Sequence, residues 1–270
     1  MSHQRGQAPP SLYFSDHFGV SRKTVEKYGA FDISLVADLP LFVDPFLLFA
    51  SRKPKYRKLH DGIIDYLKFL KTRATTGDLD PALRKALYSF QEVKENWLGF
   101  TRSGNRGAGL GAKFAGSLHA NLHSIFGNFG SERITKGSHL EKLCLIDSGV
   151  GRDRISDFTT RLILEFLCSF TERFTLAHLA PHLRREFSVP RVAFNYEVQA
   201  WIPKRFTLPV FKNGFVLLTP SDLLTKDETW INRQGLFREF HNIPDAIGQR
   251  HPARADERLF RAPAPQRAEG

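Results

Sequence analysis

Three aspartates lie close together in the segment LIDSGVGRDRISDFTTR, and their spacing suits a metal site. Asp153 and Asp157 are four residues apart, so both point to one side if a helix already begins near Arg152. Together with Asp147 they would supply the carboxylate oxygens that Mg²⁺ prefers, and a metal-activated water can attack a phosphodiester. A simpler role fits as well, in which Asp157 caps a helix and Asp153 pairs with an arginine. Asp147, Asp153 and Asp157 are therefore candidate metal ligands, and the last two are candidate catalytic residues.

Two further candidate catalytic residues, Glu197 and Lys226, lie downstream. Glu197 and Gln199 stand in the β-rich segment NYEVQAW, and with Asp157 they resemble the pattern of the PD-(D/E)xK nucleases, although glutamine stands where that pattern has lysine. A single exposed glutamate on an alternating strand would explain the same residues. Lys226 lies in the polar segment TKDET and is a candidate catalytic lysine or part of a solvated helix face.

A glycine-rich segment, SGNRGAGLGAKF, directly precedes a predicted helix. Glycines let backbone N–H groups approach a phosphate, and a helix N-terminus adds a favourable dipole. The segment follows a predicted helix instead of a strand and lacks a Gly-Lys-Ser/Thr ending, which argues against a dinucleotide fold and a P-loop. A flexible connection between helices is the alternative. The candidate phosphate-binding residues are Arg102, Arg106, Gly107, Gly109 and Lys113.

The chain is strongly basic, with 39 Lys and Arg against 28 Asp and Glu, a net charge of +11 and a pI near 9.8. Such a balance favours polyanionic partners, because a protein that binds nucleic acid releases condensed counterions. The segment SRKPKYRK concentrates this charge without any acidic residue. It predicts a nucleic-acid-binding surface, the alternative being an ordinary solvated face. The candidate residues are Arg52, Lys53, Lys55, Arg57 and Lys58.

Apolar periodicity and turn residues predict an α+β fold, mainly helical with a small antiparallel sheet. Helices are predicted over about 58–73, from Asp80-Pro81 to about 97, over 112–126, and over 155–174 as the central core helix. A hairpin is predicted at 208–218, where Asn213-Gly214 separates two apolar runs and both residues take a positive φ. Thr219 to Asp222 should then cap a final helix.

The predicted organisation is a flexible arm over 1–11, a single α+β domain over 12–248 and a disordered or altered tail over 249–270. Cys144 and Cys168 lie in apolar surroundings, as reduced core thiols do in cytoplasmic proteins. The apolar stretches are shorter than the roughly 18–20 residues that a membrane span needs. We therefore expect a soluble, cytoplasmic protein without a membrane partner.

The segments LPLFVDPFLLF, HLEKLC, GVGRDRISDFTT and LLTPSDLLTKDETWIN resemble a family of uncharacterised bacterial proteins over about residues 30–245. The resemblance implies a bacterial origin and no established activity.

The leading hypothesis from the sequence is a nucleic-acid-acting protein, in its sharpest form a Mg²⁺-dependent nuclease of bacterial phage defence. The first alternative is a non-catalytic basic module that binds nucleic acid or a protein partner. The second is a fragment of a larger protein that acts through such a partner.

Overall fold

The computed structural model describes residues 12–36, 39–75, 80–98, 115–116, 118–119 and 152–226. The predicted arm at 1–11 and the predicted tail at 249–270 lie outside these ranges. The described part is an α+β structure, mainly helical with small antiparallel sheets, so the predicted fold class is confirmed. Its helices are α1 (Phe14–Phe18), α2 (Arg22–Tyr28), α3 (Pro45–Phe49), α4 (Pro54–Thr75), α5 (Pro81–Tyr88), α6 (Arg152–Leu162) and α7 (Leu164–His178).

Aspartate and proline together start two of these helices. The Asp44 carboxylate accepts from the Phe46 N–H at 2.8 Å, and Pro45 is the first residue of α3. The Asp80 carboxylate accepts from two backbone N–H groups at the start of α5, which Pro81 opens as predicted. Proline suits this position because its fixed φ is helical and its missing N–H would have no partner there.

Helix α5 ends at Tyr88 and not near Trp97, so its predicted length is wrong. The backbone beyond it makes contacts with distant segments that a helix could not make. The Glu95 carbonyl accepts from the Leu217 N–H at 2.8 Å, and the Trp97 carbonyl accepts from the Leu39 N–H at 3.3 Å. Only a short 3₁₀ turn, Lys94–Asn96, remains helical.

The predicted central helix is two helices, because the chain leaves helical geometry at Ile163 (φ −102°, ψ 14°). The Thr159 hydroxyl donates to the Ile155 carbonyl one turn earlier, at 2.7 Å. Such bonds back to the preceding turn bend helices. The break separates α6, which carries the candidate carboxylates, from α7, which packs on the sheet.

The main sheet is a long antiparallel hairpin of β2 (Arg184–Asn195) and β3 (Ala200–Phe211), extended by the short β4 (Gly214–Phe215). Helix α7 packs against β2 and β3. The Thr207 N–H on the outer edge of β3 donates to the Glu172 carboxylate of α7 at 2.6 Å. Alternate residues of a strand turn their N–H groups to the same edge, so Pro203 and Pro209 face that edge too.

The turn between β3 and β4 lies one residue earlier than predicted. Phe211 pairs with Gly214, so Lys212 and Asn213 are the central residues, and Lys212 has φ +51°. Gly214 is a strand residue without a positive φ, so the expectation for it is wrong.

The returning strand is also shorter than the predicted run to residue 218. The Val216 N–H still donates to the Pro209 carbonyl of β3 at 3.1 Å, and the chain then leaves the sheet. The Leu217 N–H donates to the Glu95 carbonyl, and the Leu218 N–H donates to the Thr171 hydroxyl at 2.9 Å.

The final helix predicted after Asp222 does not begin there, and the part of this prediction beyond Lys226 lies outside the described residues. A 3₁₀ turn, Ser221–Leu223, leads directly into β5 (Leu224–Lys226), which pairs antiparallel with β1 (Leu41–Val43). The two short strands complete each other's hydrogen bonds across about 180 residues of sequence, an arrangement that no local pattern signals.

Two apolar clusters form the core, and α7 lies between them. Phe170 and Phe174 belong to the larger cluster, while Leu164 and Cys168 belong to the smaller one. Cys168 is buried and free, and burial raises the pKa of its thiol. Cys144 lies outside the described residues.

Candidate nucleic-acid interface and carboxylate cluster

Helix α6 places two of the predicted carboxylates one turn apart. Asp157 is largely buried, and burial raises its pKa from 3.8 to about 8; the negative charges of Asp153 and Glu92 act in the same direction, and Arg154 opposes them. Partial burial also raises the pKa of Asp153. The negative charges of Asp153 and Glu92 therefore disfavour the charged form of Asp157, and Asp157 takes up a proton more readily than a free aspartate.

Among the remaining predicted catalytic residues, Glu197 is not one of the charges that act on Asp153 or Asp157. Glu197 lies in the exposed turn that connects β2 and β3, where its N–H donates to the Asn195 side chain at 2.9 Å. Lys226 ends β5, with its backbone opposite Leu41. Asp147 lies outside the described residues. Among the residues that are described, no group of three or more His, Cys, Asp and Glu has the geometry to hold a metal ion.

The phosphate-binding prediction cannot be placed against this geometry, because the whole segment lies outside the described residues. Its members are Arg102, Arg106, Gly107, Gly109 and Lys113.

Two partly buried arginines, Arg161 and Arg191, influence each other's charge. Arg161, one turn after Asp157, is only 8% exposed, and within the described ranges its guanidinium makes no hydrogen bond and no ion pair. Burial and the neighbouring charge of Arg191 lower its pKa, and Glu95 opposes them. Arg191, at φ +54° in the bulge of β2, donates to the Ala86 and Ser89 carbonyls at 2.8 and 3.2 Å. A buried guanidinium beside a like charge destabilises the fold.

The predicted basic residues lie together where α3 meets α4, and all five are exposed; we call this set the basic corner. It comprises Arg52, Lys53, Lys55, Arg57 and Lys58. Lys55, Arg57 and Lys58 lie in the first two turns of α4, and the first of these turns holds no acidic residue. Cations are unfavourable at the N-terminus of a helix, because the macrodipole is positive there.

The basic corner contacts other elements of the described fold at Asp222 and at Phe166. The Tyr56 hydroxyl donates to one Asp222 carboxylate oxygen at 2.6 Å, and Lys53 donates to the other. Both contacts lower the pKa of Asp222. The Lys55 ammonium lies 5.0 Å from the centroid of the Tyr56 ring and 5.8 Å from that of Phe166. The other three cations form no ion pair in the part of the chain that the structure describes.

A cleft of about 430 Å³ opens beside the basic corner. The rings of Phe49 and His60 meet there with their centroids 5.2 Å apart. Arg57, Lys58, Pro54 and Asp61 line the rest of it.

Sequence reasoning found the basic corner but missed other members of these sites. Glu92 acts on Asp157 and Arg191 acts on Arg161 from distant segments, and only the fold brings these residues together. Phe49 and His60 looked like ordinary apolar and helical residues. Their position on either side of the dense run of cations is the one signal in the sequence that could have indicated the cleft.

Within the described ranges, no helix is long and apolar enough to cross a membrane. The comparison with curated proteins and the comparison with solved structures gave no match. One family model matches residues 19–232, a range that takes in the basic corner, the cleft and α6 and overlaps most of the span of the resemblance noted from the sequence. The chain therefore belongs to the family described as "Domain of unknown function (DUF8370)".

Proposed function

We propose that the protein binds nucleic acid through the basic corner. The observation that carries this proposal is the density of exposed cations at the positive end of α4, where they oppose the helix dipole. Each such cation costs about 0.3–1 kcal/mol of stability at low ionic strength, and a bound polyanion would relieve that cost. A surface that is unfavourable for the free protein and favourable for a polyanion complex indicates a binding role.

The arrangement also limits which side chains contact phosphate. Lys53 is neutralised by Asp222, and its partner Tyr56 fixes the position of that carboxylate. Arg52, Arg57 and Lys58 have no ion-pair partner among the described residues, and Lys55 lies over aromatic rings. Four of the five cations are therefore available to a phosphate backbone.

The test is the salt dependence of binding. Replacement of Arg52, Lys55, Arg57 and Lys58 by alanine should flatten the plot of log K against log salt, by about 0.9 for each lost contact to duplex DNA. The control variant removes four exposed cations from other helices: Lys23, Lys27, Lys85 and Arg173. An equal loss of slope in both variants would show that net charge alone drives binding. Salt-independent binding, or none, would overturn the proposal.

A second candidate function is cleavage of nucleic acid, as in nucleases of bacterial phage defence. The favouring observation is the mutual influence of Asp153, Asp157 and Glu92, whose crowded negative charge a Mg²⁺ ion would relieve. The described residues do not complete a metal site by themselves. Incubation of DNA and RNA with the protein and Mg²⁺ or Mn²⁺ tests this candidate. Cleavage that is lost in both Asp153→Ala and Asp157→Ala would support it. Binding without cleavage would support the first proposal and exclude cleavage.

A further inference from the structure

The cleft beside the basic corner combines two kinds of surface. One side is aromatic: the Phe49 ring is partly exposed, and it contacts His60, which is only 3% exposed. The other side carries the exposed cations Arg57 and Lys58 from the first turns of α4. The volume of about 430 Å³ falls within the range of about 300–1,000 Å³ typical of small-ligand sites.

These surfaces together narrow the class of ligand. A phosphate alone would gain nothing from the aromatic side, and a purely apolar ligand would have to desolvate Arg57 and Lys58. A nucleobase with its adjacent phosphates matches both, because the base can stack on an aromatic ring while cations hold the backbone.

We infer that the protein binds single-stranded nucleic acid with one unstacked base inserted against Phe49 in this cleft. The inference rests on the proposed function, since the basic corner must hold the flanking phosphates. In a duplex the bases are already stacked and paired, so inserting one would require it to be flipped out. Single strands should therefore bind more tightly than a duplex of equal length.

The experiment compares two single strands of about 20 nucleotides, a length that covers the usual site sizes. One carries bases, and the other has the same sugars and phosphates but is abasic throughout. Binding to each is measured by fluorescence anisotropy at several salt concentrations. Stacking of one base should make the base-bearing strand bind about 5- to 150-fold more tightly.

Variants at two neighbouring phenylalanines assign this preference to the cleft. Phe49→Leu removes the ring and should abolish most of the difference between the strands, whereas Phe49→Tyr keeps a ring and should retain it. Phe46→Leu is the matched control, since Phe46 belongs to the same helix and its ring lies 6.1 Å from that of Phe49 but does not line the cleft. Circular dichroism confirms that each variant is folded.

The outcomes separate the two proposals. If neither strand binds in a salt-dependent way, the proposed function fails. If both strands bind equally and with the same salt slope, the function stands and base insertion is wrong. A preference for bases that survives in Phe49→Leu would place the stacking elsewhere and overturn the assignment to the cleft.

Discussion

Asp157→Asn should remove a loss of stability that the wild-type protein suffers as the pH rises. Folding raises the pKa of this carboxyl from 3.8 to about 8, mainly through burial. A raised pKa means that the folded state binds the proton more tightly than the unfolded state does. The contribution is therefore fully present below pH 3.8, and it is lost progressively as the pH rises to about 8. Asparagine has the same shape and no charge, so it escapes this loss.

The size of the effect follows from the pKa change. At about 1.4 kcal/mol for each tenfold change in proton affinity, the rise from 3.8 to about 8 corresponds to about 6 kcal/mol. Water still reaches part of the Asp157 side chain, so we expect about 2–4 kcal/mol to be measurable at pH 9. At pH 5 the wild type has lost only about 30% of the contribution, so the difference in stability between the two proteins should be correspondingly smaller.

The assay is urea denaturation of both proteins at intervals from pH 5 to pH 9, with the free energy of unfolding compared at each pH. Asp65→Asn is the control, because it removes a carboxylate from the exposed surface of α4, where the side chain is 63% exposed. Its stability should differ from that of the wild type by a similar amount at every pH. If Asp157→Asn followed the wild-type curve across the range, the burial and crowding of this carboxylate would be refuted.

Three further predictions concern single side chains. Arg161→Met should raise the melting temperature by a few degrees, equivalent to about 1–2 kcal/mol, because it removes a mostly buried guanidinium that lies beside the like charge of Arg191. A lower melting temperature would show that the attraction of Glu95 outweighs these costs. Lys212→Gly should stabilise the protein to urea by up to about 1 kcal/mol, since glycine tolerates φ +51°. In contrast, Gly214→Ala should change stability by less than about 0.5 kcal/mol, because a Cβ there meets nothing within 4 Å. A larger effect of Gly214→Ala than of Lys212→Gly would contradict the turn geometry. Tyr56→Phe should lower the free energy of unfolding by about 1–2 kcal/mol, and it should raise the pKa of Asp222 in an NMR titration, because the 2.6 Å hydrogen bond is lost. An unchanged Asp222 pKa would rule out that bond.

The parts of the fold that the sequence predicted depend on neighbouring residues. Asp80 and Pro81 start α5 through contacts within one turn. The apolar periodicity of residues 58–73 corresponds to one face of α4, on which Ile63, Ile64 and Leu67 are buried. Such signals are complete within a short window of the chain.

The errors arise where a distant segment competes for the backbone. The Glu95 carbonyl is taken by Leu217, so the helix after Tyr88 does not continue. The residues after Asp222 pair with β1 instead of forming a helix. In each case hydrogen bonds to residues far away in the sequence override the local preference for a helix. A prediction from local sequence patterns does not include such bonds.

The same limit applies to the sites. The basic corner was predictable because its cations are consecutive or nearly so in the sequence. The influence of Glu92 on Asp157 was not, because α6 and the segment after α5 are brought together only by packing. Glu197 looked like a partner of Asp157 through strand spacing, but it lies in the exposed turn between β2 and β3.

The outer edges of the long hairpin bear on how the protein behaves at high concentration. Twelve-residue strands with unpaired edges are templates for strand addition and aggregation. On β3, Pro203 and Pro209 donate no hydrogen bond, and the Thr207 N–H between them is occupied by α7. On β2, Pro190 and the bulge at Arg191 interrupt the other edge. Among the described residues, these features shorten the rows of free backbone donors that a second copy could pair with, so they disfavour edge-to-edge pairing of the hairpin.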